Sequence, residues 1–310
     1  MTPPQARAIE RLVSLGTVVV DVVTLVTALP EPGGDVFASR GEIQAGGGFL
    51  AMAAARRSGL ATVHAGTTGT GPFGDLARAA LATAGITTVL SPLPGVDTGL
   101  CLVLVEPSGE RTFVTVPGAE GLVEPGALAR LPLRHTDAVL VSGYGLLHPV
   151  TRLAVLAALA RLPAGATLVV DPGPLGHELA PADLDVLFAR ADWWTCNARE
   201  ARLLTGEVDP GAGAAALAER LARARASTDA PAHAVVRIGA GGCIVAVDGR
   251  PPFRVSAVPA SVVSTNGAGD AHTGALIAAL AGGRPAIPAL RQANGLAADF
   301  LRSRTPGGDG

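Results

Sequence analysis

An α/β fold, with a mostly parallel central sheet covered by helices on both faces, is what this sequence predicts, on three observations. Short runs rich in Val and Leu alternate with Ala/Leu/Arg segments of helical period. The apolar runs are continuous rather than alternating, as strands buried on both faces require. Hydrophobic residues make up 48% of the 310-residue chain while aromatics supply only 3%, so a large core must be packed from aliphatic side chains and alanine.

Taken in order, strands are expected at Val13–Val20, Ala61–Ala65, Ala138–Ser142, Thr167–Asp171, Trp193–Asn197, Ala234–Ile238 and Cys243–Val247. Helices are expected at Leu50–Ser58, Asp75–Ala84, Val150–Arg161, Ala198–Leu204, Ala214–Ala226, Asp270–Ala281 and Ala286–Leu301. One segment interrupts the alternation. Leu100–Val105, a Glu-Pro-Ser-Gly-Glu turn and Arg111–Val116 read as a β-hairpin. No linker divides the chain, so residues 1–310 are expected to form a single domain. A small β-lid over it is expected from residues 21–44 and 98–117.

Composition excludes several classes. The net charge of −2 and the lack of a basic block argue against a nucleic-acid partner. All 24 basic residues are arginine, which removes a P-loop lysine and a Schiff-base lysine together. Cys101, Cys196 and Cys243 have neither disulfide nor zinc-ligand spacing, which fits a reducing cytoplasm. The apolar stretch from Leu12 to Pro30 contains Gly16 and Asp21 and reads as a buried strand running into a second strand, not as a membrane span. No membrane partner is expected.

The strongest chemical signal is Ser264-Thr-Asn-Gly-Ala-Gly-Asp270 running into an apolar helix. Gly267, Ala268 and Gly269 allow a tight turn whose amides open at a helix N-terminus, a natural anion site. Asp270 stands at its rim. A carboxylate beside a phosphate is repelled unless it acts, and general-base work on a hydroxyl gives it a role. A helix cap is the competing account. Gly69-Thr-Gly71-Pro-Phe-Gly74 satisfies G-x-G-x-x-G, but no acidic residue ends the next strand. A nicotinamide site is therefore rejected.

These motifs bring a known family into view. Ser264–Asp270 resembles the C-terminal signature of PfkB-type, ribokinase-like carbohydrate kinases. Ala45-Gly-Gly-Gly-Phe-Leu-Ala-Met-Ala-Ala-Ala-Arg-Arg-Ser-Gly59 resembles the N-terminal one, and Gly66–Asp75 the block after it. The likeness runs in order from Val13 to Leu301. It implies a ribokinase-like three-layer sandwich and ATP-dependent phosphorylation of a small sugar or polyol. Asp270 is then the base, with Gly267, Ala268 and Gly269 as the anion hole.

On the acceptor side the resemblance points to Asp21, to Gly46, Gly47 and Gly48 as backbone donors, and to Leu50. On the nucleotide side it points to Asn197, Glu200, Arg237, Gly239, Gly241, Thr265 and Asn294. Glu200, in the family's N-x-x-E motif, is assigned to Mg²⁺ through water, although Asn197 and Glu200 equally spell a capping box. Asp171 reads as a turn cap or a rim residue, Arg111 as solvated with a reach to the substrate from the lid as the alternative, and His272 as packing or capping.

Two departures stand out. Leu50 replaces an Asn expected to bond the sugar, and a core position for Leu50 is the alternative. Ser264 replaces an Asp that supports a monovalent cation, which argues against potassium activation. A nucleoside kinase or a non-catalytic sugar sensor of the same fold are the alternatives, and a homodimer through the lid is the expected assembly.

Overall fold

The computed structural model describes residues 7–225, 231–259 and 267–302. Their strands form two sheets. The larger contains β1 (Arg11–Ser14), β4 (Ala61–His64), β5 (Thr87–Thr88), β8 (Asp137–Ser142), β9 (Thr167–Asp171), β10 (Trp193–Asn197), β11 (His233–Arg237), β12 (Cys243–Ala246) and β13 (Phe253–Val255). Its order is β13-β12-β11-β10-β9-β8-β1-β4-β5. Pairing is parallel from β11 to β5, and β12 and β13 add antiparallel at one edge.

Helices cover both faces. One core packs residues of α3 (Pro125–Ala129), α5 (Pro149–Ala160), α6 (Pro181–Arg190), α7 (Ala198–Thr205) and α8 (Pro210–Ala224) against Val13, Val139, Val141, Leu168, Val170 and Val236. The other packs α1 (Gly48–Arg57), α2 (Pro72–Thr83), α9 (Ala268–Ala281) and α10 (Ala286–Arg302) against Leu12, Ala138, Leu140, Val169 and Val235. Successive strand residues thus enter opposite cores. That is the physical reason the strands read as unbroken apolar runs. The short helix α4 (Tyr144–Leu147) follows β8 directly.

The smaller sheet, named the lid after that expectation, contains β2 (Val18–Val26), β3 (Ala38–Gly47), β6 (Leu100–Val105) and β7 (Arg111–Val116), in the order β3-β2-β6-β7. The hairpin has the bounds read from sequence. Its base is clamped by the buried Glu120, which accepts from the amides of Gly99 and Gly118 at 2.8 Å each.

Three expectations need correction. The single strand Val13–Val20 is two strands: β1 ends at Ser14, and β2 begins at Val18 in the other sheet. A continuous apolar run conceals this sheet change, because both strands are buried. Helix α6 was not foreseen, although Pro181 starts it and Leu184, Leu187 and Phe188 form its buried stripe. Helix α8 begins at Pro210 rather than Ala214, capped by Asp209, which accepts from the Ala212 amide at 2.8 Å. Glycines and alanines at its start hid the helical period.

Candidate active site

The carboxyl ends of parallel strands β8, β9, β10 and β11 deliver Tyr144, Asp171, Asn197 and Arg237 to one crevice, where open α/β sheets place their ligands. Helix α9 supplies the turn opposite them. Gly267 has φ 78° as its N-cap, a left-handed conformation that suits glycine. A Cβ there would come within 2.5 Å of Leu50 Cδ1. The first-turn amides of α9 lack intrahelical partners by helix geometry and carry the positive end of its dipole. Helix α1 approaches α9 so closely that a Cβ on Gly274 would overlap the Ala51 carbonyl. Gly274 therefore sets how the acceptor-side signature sits against the anion turn.

Asp270 lies in that first turn and keeps some surface open. Burial pushes its carboxyl up to about 7, Asp171, Asp21 and Glu200 add to the rise, and Arg237 opposes it. Such a group divides between acid and base near neutral pH.

Asp21 stands opposite, in the lid. It is buried, and a Cβ on Gly46 would overlap its carboxylate. Gly46 thus makes room for Asp21. Across the lid, Gln44, Asp21, Cys101 and Thr115 form one row, and Thr115 bonds Cys101 Sγ at 3.4 Å. Burial raises the Tyr144 phenol, and Cys101, Glu200, Asp270 and Asp21 all contribute. Burial lowers the Arg111 guanidinium against the opposing pull of Glu110, Asp270 and Glu200. Arg111 is half-buried and within the field of Asp270 and Glu200, in keeping with a reach from the lid. Tyr144 was missed. The signal was available, since it is the chain's single tyrosine and follows a strand end directly.

The remaining glycines serve differently from expectation. The Gly48 amide donates to the Thr17 carbonyl at 2.8 Å and is not free for a sugar. Gly47, at φ 57°, caps α1 with the same carbonyl 2.8 Å from where its Cβ would be. Leu50 is 5% exposed and packs with Ala54, Ala271 and Phe300. That packing is what the core alternative describes.

On the other side, Asn197 and Glu200 complete a capping box. Glu200 Oε2 accepts from the Asn197 amide at 2.7 Å, and Asn197 Oδ1 accepts from the Glu200 amide at 2.8 Å. Asn197 Nδ2 also donates to Glu200 Oε1 at 2.8 Å. Burial raises the Glu200 carboxyl, with Asp171 adding. Arg237 Nη2 pairs with Asp171 Oδ2 at 3.1 Å and lies 3.9 Å from Glu200 Oε2. Its Nη1 donates to Thr195 Oγ1 and to Thr273 Oγ1, the latter at 3.1 Å. Asp171 Oδ1 also accepts from the Gly173 amide at 3.1 Å, so Asp171 both caps its turn and enters the site.

Gly239 and Gly241 lie in the turn between antiparallel β11 and β12. Asn294 is buried and donates to the carbonyls of Val255 and Ser256 at 3.1 and 2.9 Å; it holds the chain end leading from β13 rather than facing solvent. His272 is buried in α9. Ser264 and Thr265 lie outside the described residues.

Among the described residues no three His, Cys, Asp or Glu side chains assemble a direct metal cage. Asp171 and Glu200 are oxygen donors of the type Mg²⁺ accepts alongside waters and phosphate oxygens. The G-x-G-x-x-G turn is filled by the protein itself. Asp97 accepts from the amides of Gly74 and Thr98 at 2.7 Å each and of Phe73 at 3.2 Å. An internal carboxylate occupies the place a pyrophosphate would take.

Comparison with known proteins decides the class. A model of the pfkB family of carbohydrate kinases matches residues 9–306. The chain belongs to that family. An uncharacterised sugar kinase, YegV of Escherichia coli K12, is 30% identical over 99% of this chain and 92% of its own. Adenosine kinase from Sinorhizobium meliloti superposes with a TM-score of 0.77 at 18% identity, covering 95% of this chain and 94% of that one. Arabidopsis thaliana ribokinase, solved with ribose and ATP, gives 0.72 at 21% identity, covering 96% and 94%. The pfkB protein is thus a kinase of ribokinase-like fold. Among its described residues no helix is long and apolar enough to cross a membrane.

Proposed function

We propose that this pfkB protein transfers the γ-phosphoryl group of ATP to a hydroxyl of a small sugar or polyol. The arrangement that carries the reading is Asp270 in the first turn of α9, directly after the Gly267–Gly269 turn, its carboxyl pushed up to about 7 by burial, with Asp21 among the charges that add to the rise. Asp270 takes the hydroxyl proton, the alkoxide oxygen bonds to the γ-phosphorus, and the bond to the β,γ-bridging oxygen breaks to release ADP. The first-turn amides of α9 stabilise charge on the transferring group, which is most of what phosphoryl transfer asks of a protein. Asp21 orients the acceptor by accepting from its hydroxyls.

Mg²⁺ supplies charge neutralisation at the phosphate oxygens, and Glu200, with Asp171 beside it, would hold it through water. A nucleoside acceptor is the second reading. It is favoured by the Tyr144 ring, an aromatic face on the acceptor side of the kind a base stacks against, and the adenosine kinase likeness accords with it. Phosphorus NMR of the product formed with sugars and with nucleosides tests both. A phosphomonoester of the acceptor supports the proposal, and inorganic phosphate alone contradicts it.

Residues 1–310 are read as one domain, with the lid formed by about 21–44 and 98–117. Ile43, Val22, Leu102 and Val114 form one row on the lid's outer face, and Ile43, Leu102 and Val114 are exposed. A second copy is proposed to cover this row, making a homodimer. Light scattering should then give twice the chain mass, falling to one chain mass for Leu102→Glu.

A further inference from the structure

The anion turn is backed by a charge that belongs to the protein. Arg237, at the end of β11, lies directly beneath Gly269: a Cβ on Gly269 would stand 3.3 Å from Arg237 Nε and 3.4 Å from its Cζ and Nη2. The guanidinium is fixed from four sides by Asp171, Glu200, Thr195 and Thr273. Thr273 Oγ1 also donates to the Gly269 carbonyl at 3.1 Å and lies 3.4 Å from Asp171 Oδ2. The hydroxyl therefore ties the turn's backbone, the strand-end carboxylate and the guanidinium into one unit.

Consider the site as a place for a polyphosphate. Asp171 and Glu200 converge from β9 and α7, Asp270 from α9 and Asp21 from the lid, while Arg237 and the lid's Arg111 are the opposing cations. Tyr144, His272, Cys196 and Arg199 are further titratable groups around it. Carboxylates outnumber guanidiniums, so an incoming polyphosphate meets repulsion that the turn's amides and the nearby cations must offset. Among the described residues, Arg237 is the cation that lies against Gly269.

We infer that Arg237 is a positioning residue that acts as a built-in cation behind the anion turn. It neutralises Asp171 and Glu200, holds Gly269 in place through Thr273, and never contacts the nucleotide. The inference rests on the kinase reading for its catalytic part, while its electrostatic part concerns only how the turn receives phosphate. Its ligand selectivity follows from the geometry. Loss of the charge should weaken binding in proportion to phosphate charge and leave a neutral ligand alone, which a merely structural arginine would not do.

The test uses Arg237→Gln and Arg237→Lys, with calorimetric binding of ATP and of adenosine beside steady-state kinetics. For Arg237→Gln, ATP affinity should fall about fifteen- to thirtyfold. That is the effect of one unit charge acting from roughly 8–10 Å at an effective dielectric of about 20. Adenosine affinity should change less than about twofold. Turnover should fall on the order of 10²-fold, as misplacing a catalytic turn does, with the acceptor KM little changed. Arg237→Lys keeps the charge and should recover most of the ATP affinity while remaining slower, because it loses the fork.

Equal losses for ATP and adenosine, or no loss for either, would overturn the inference. So would an Arg237→Lys variant as poor in ATP affinity as Arg237→Gln. If Arg237→Gln does not fold, the lysine variant decides alone, through its ratio of ATP to adenosine affinity against wild type. If wild type binds ATP but phosphorylates no acceptor, the kinase reading fails, and the calorimetric comparison still decides the role of Arg237. Wild type that binds no ATP contradicts both.

Discussion

Replacing Asp270 by asparagine removes one ionisation while keeping size and hydrogen-bonding capacity, and its effects on rate and on stability have opposite signs. The Asp270 carboxyl is raised to about 7, first by burial and then by Asp171, roughly three units above an ordinary aspartate. Between about pH 4 and pH 7 the folded protein therefore holds a proton that the unfolded chain has released. Stability contributed by this group is fully present below the unfolded value and is lost as pH rises through the folded one. Asparagine carries no such penalty. Each unit corresponds to about 1.4 kcal/mol. Because Asp270 keeps some surface on the crevice, a discounted gain of about 1–3 kcal/mol at pH 8 is expected for Asp270→Asn.

Melting curves of both proteins from pH 4 to pH 8 read this directly. The variant should melt higher at pH 8, and its advantage should shrink steadily towards pH 4. Turnover should fall about 10²- to 10⁴-fold, as loss of a general base does, and wild-type kcat/KM should decline as pH drops below about 7. An Asp270→Asn variant less stable than wild type at pH 8, or one retaining more than about a tenth of wild-type kcat, would refute the reasoning.

Other substitutions probe the packing that builds the site. Gly274→Ala should lower stability by more than about 2 kcal/mol, since its methyl would overlap the Ala51 carbonyl and must part α1 from α9; denaturant unfolding measures it, and an unchanged midpoint counts against the close approach. Gly46→Ala should raise the acceptor KM far more than the ATP KM by displacing Asp21, and equal rises would show that Asp21 does not serve the acceptor. Leu50→Asn should lower the melting temperature and leave the ranking of acceptors unchanged, because Leu50 packs against Ala271 and Phe300 and a buried amide there lacks partners; an altered ranking would return Leu50 to the acceptor pocket.

How much of this was legible in sequence depended on whether a residue's role is local. The turn Gly267–Asp270, the capping box at Asn197 and Glu200, and the hairpin Leu100–Val116 are written in consecutive residues, and each stands where periodicity and turn chemistry put it. What the sequence concealed are meetings of distant residues. Arg237 reads as the start of a glycine turn, yet its guanidinium turns inward to Asp171, Glu200 and Thr273, which come from three other elements. Arg111 reads by default as a solvated strand residue, because nothing local reports that Asp270 and Glu200 act on it. Gly46 and Gly48 read as a bare backbone offered to a sugar. One makes room for Asp21 and the other spends its amide on Thr17. The sheet change at Leu15–Thr17 was hidden for a related reason: both flanking strands are buried, so hydrophobicity does not mark the break.

The measurement that bears most directly on the central claim is ADP release with Mg²⁺ and ATP across pentoses, hexoses, sugar acids and nucleosides, run in parallel on wild type and Asp270→Asn. Wild type should release ADP in a saturable, acceptor-dependent way with at least one of these classes, and at least about 10²-fold faster than the variant. ADP release that ignores the acceptor, or that proceeds equally well without the Asp270 carboxylate, would contradict the account.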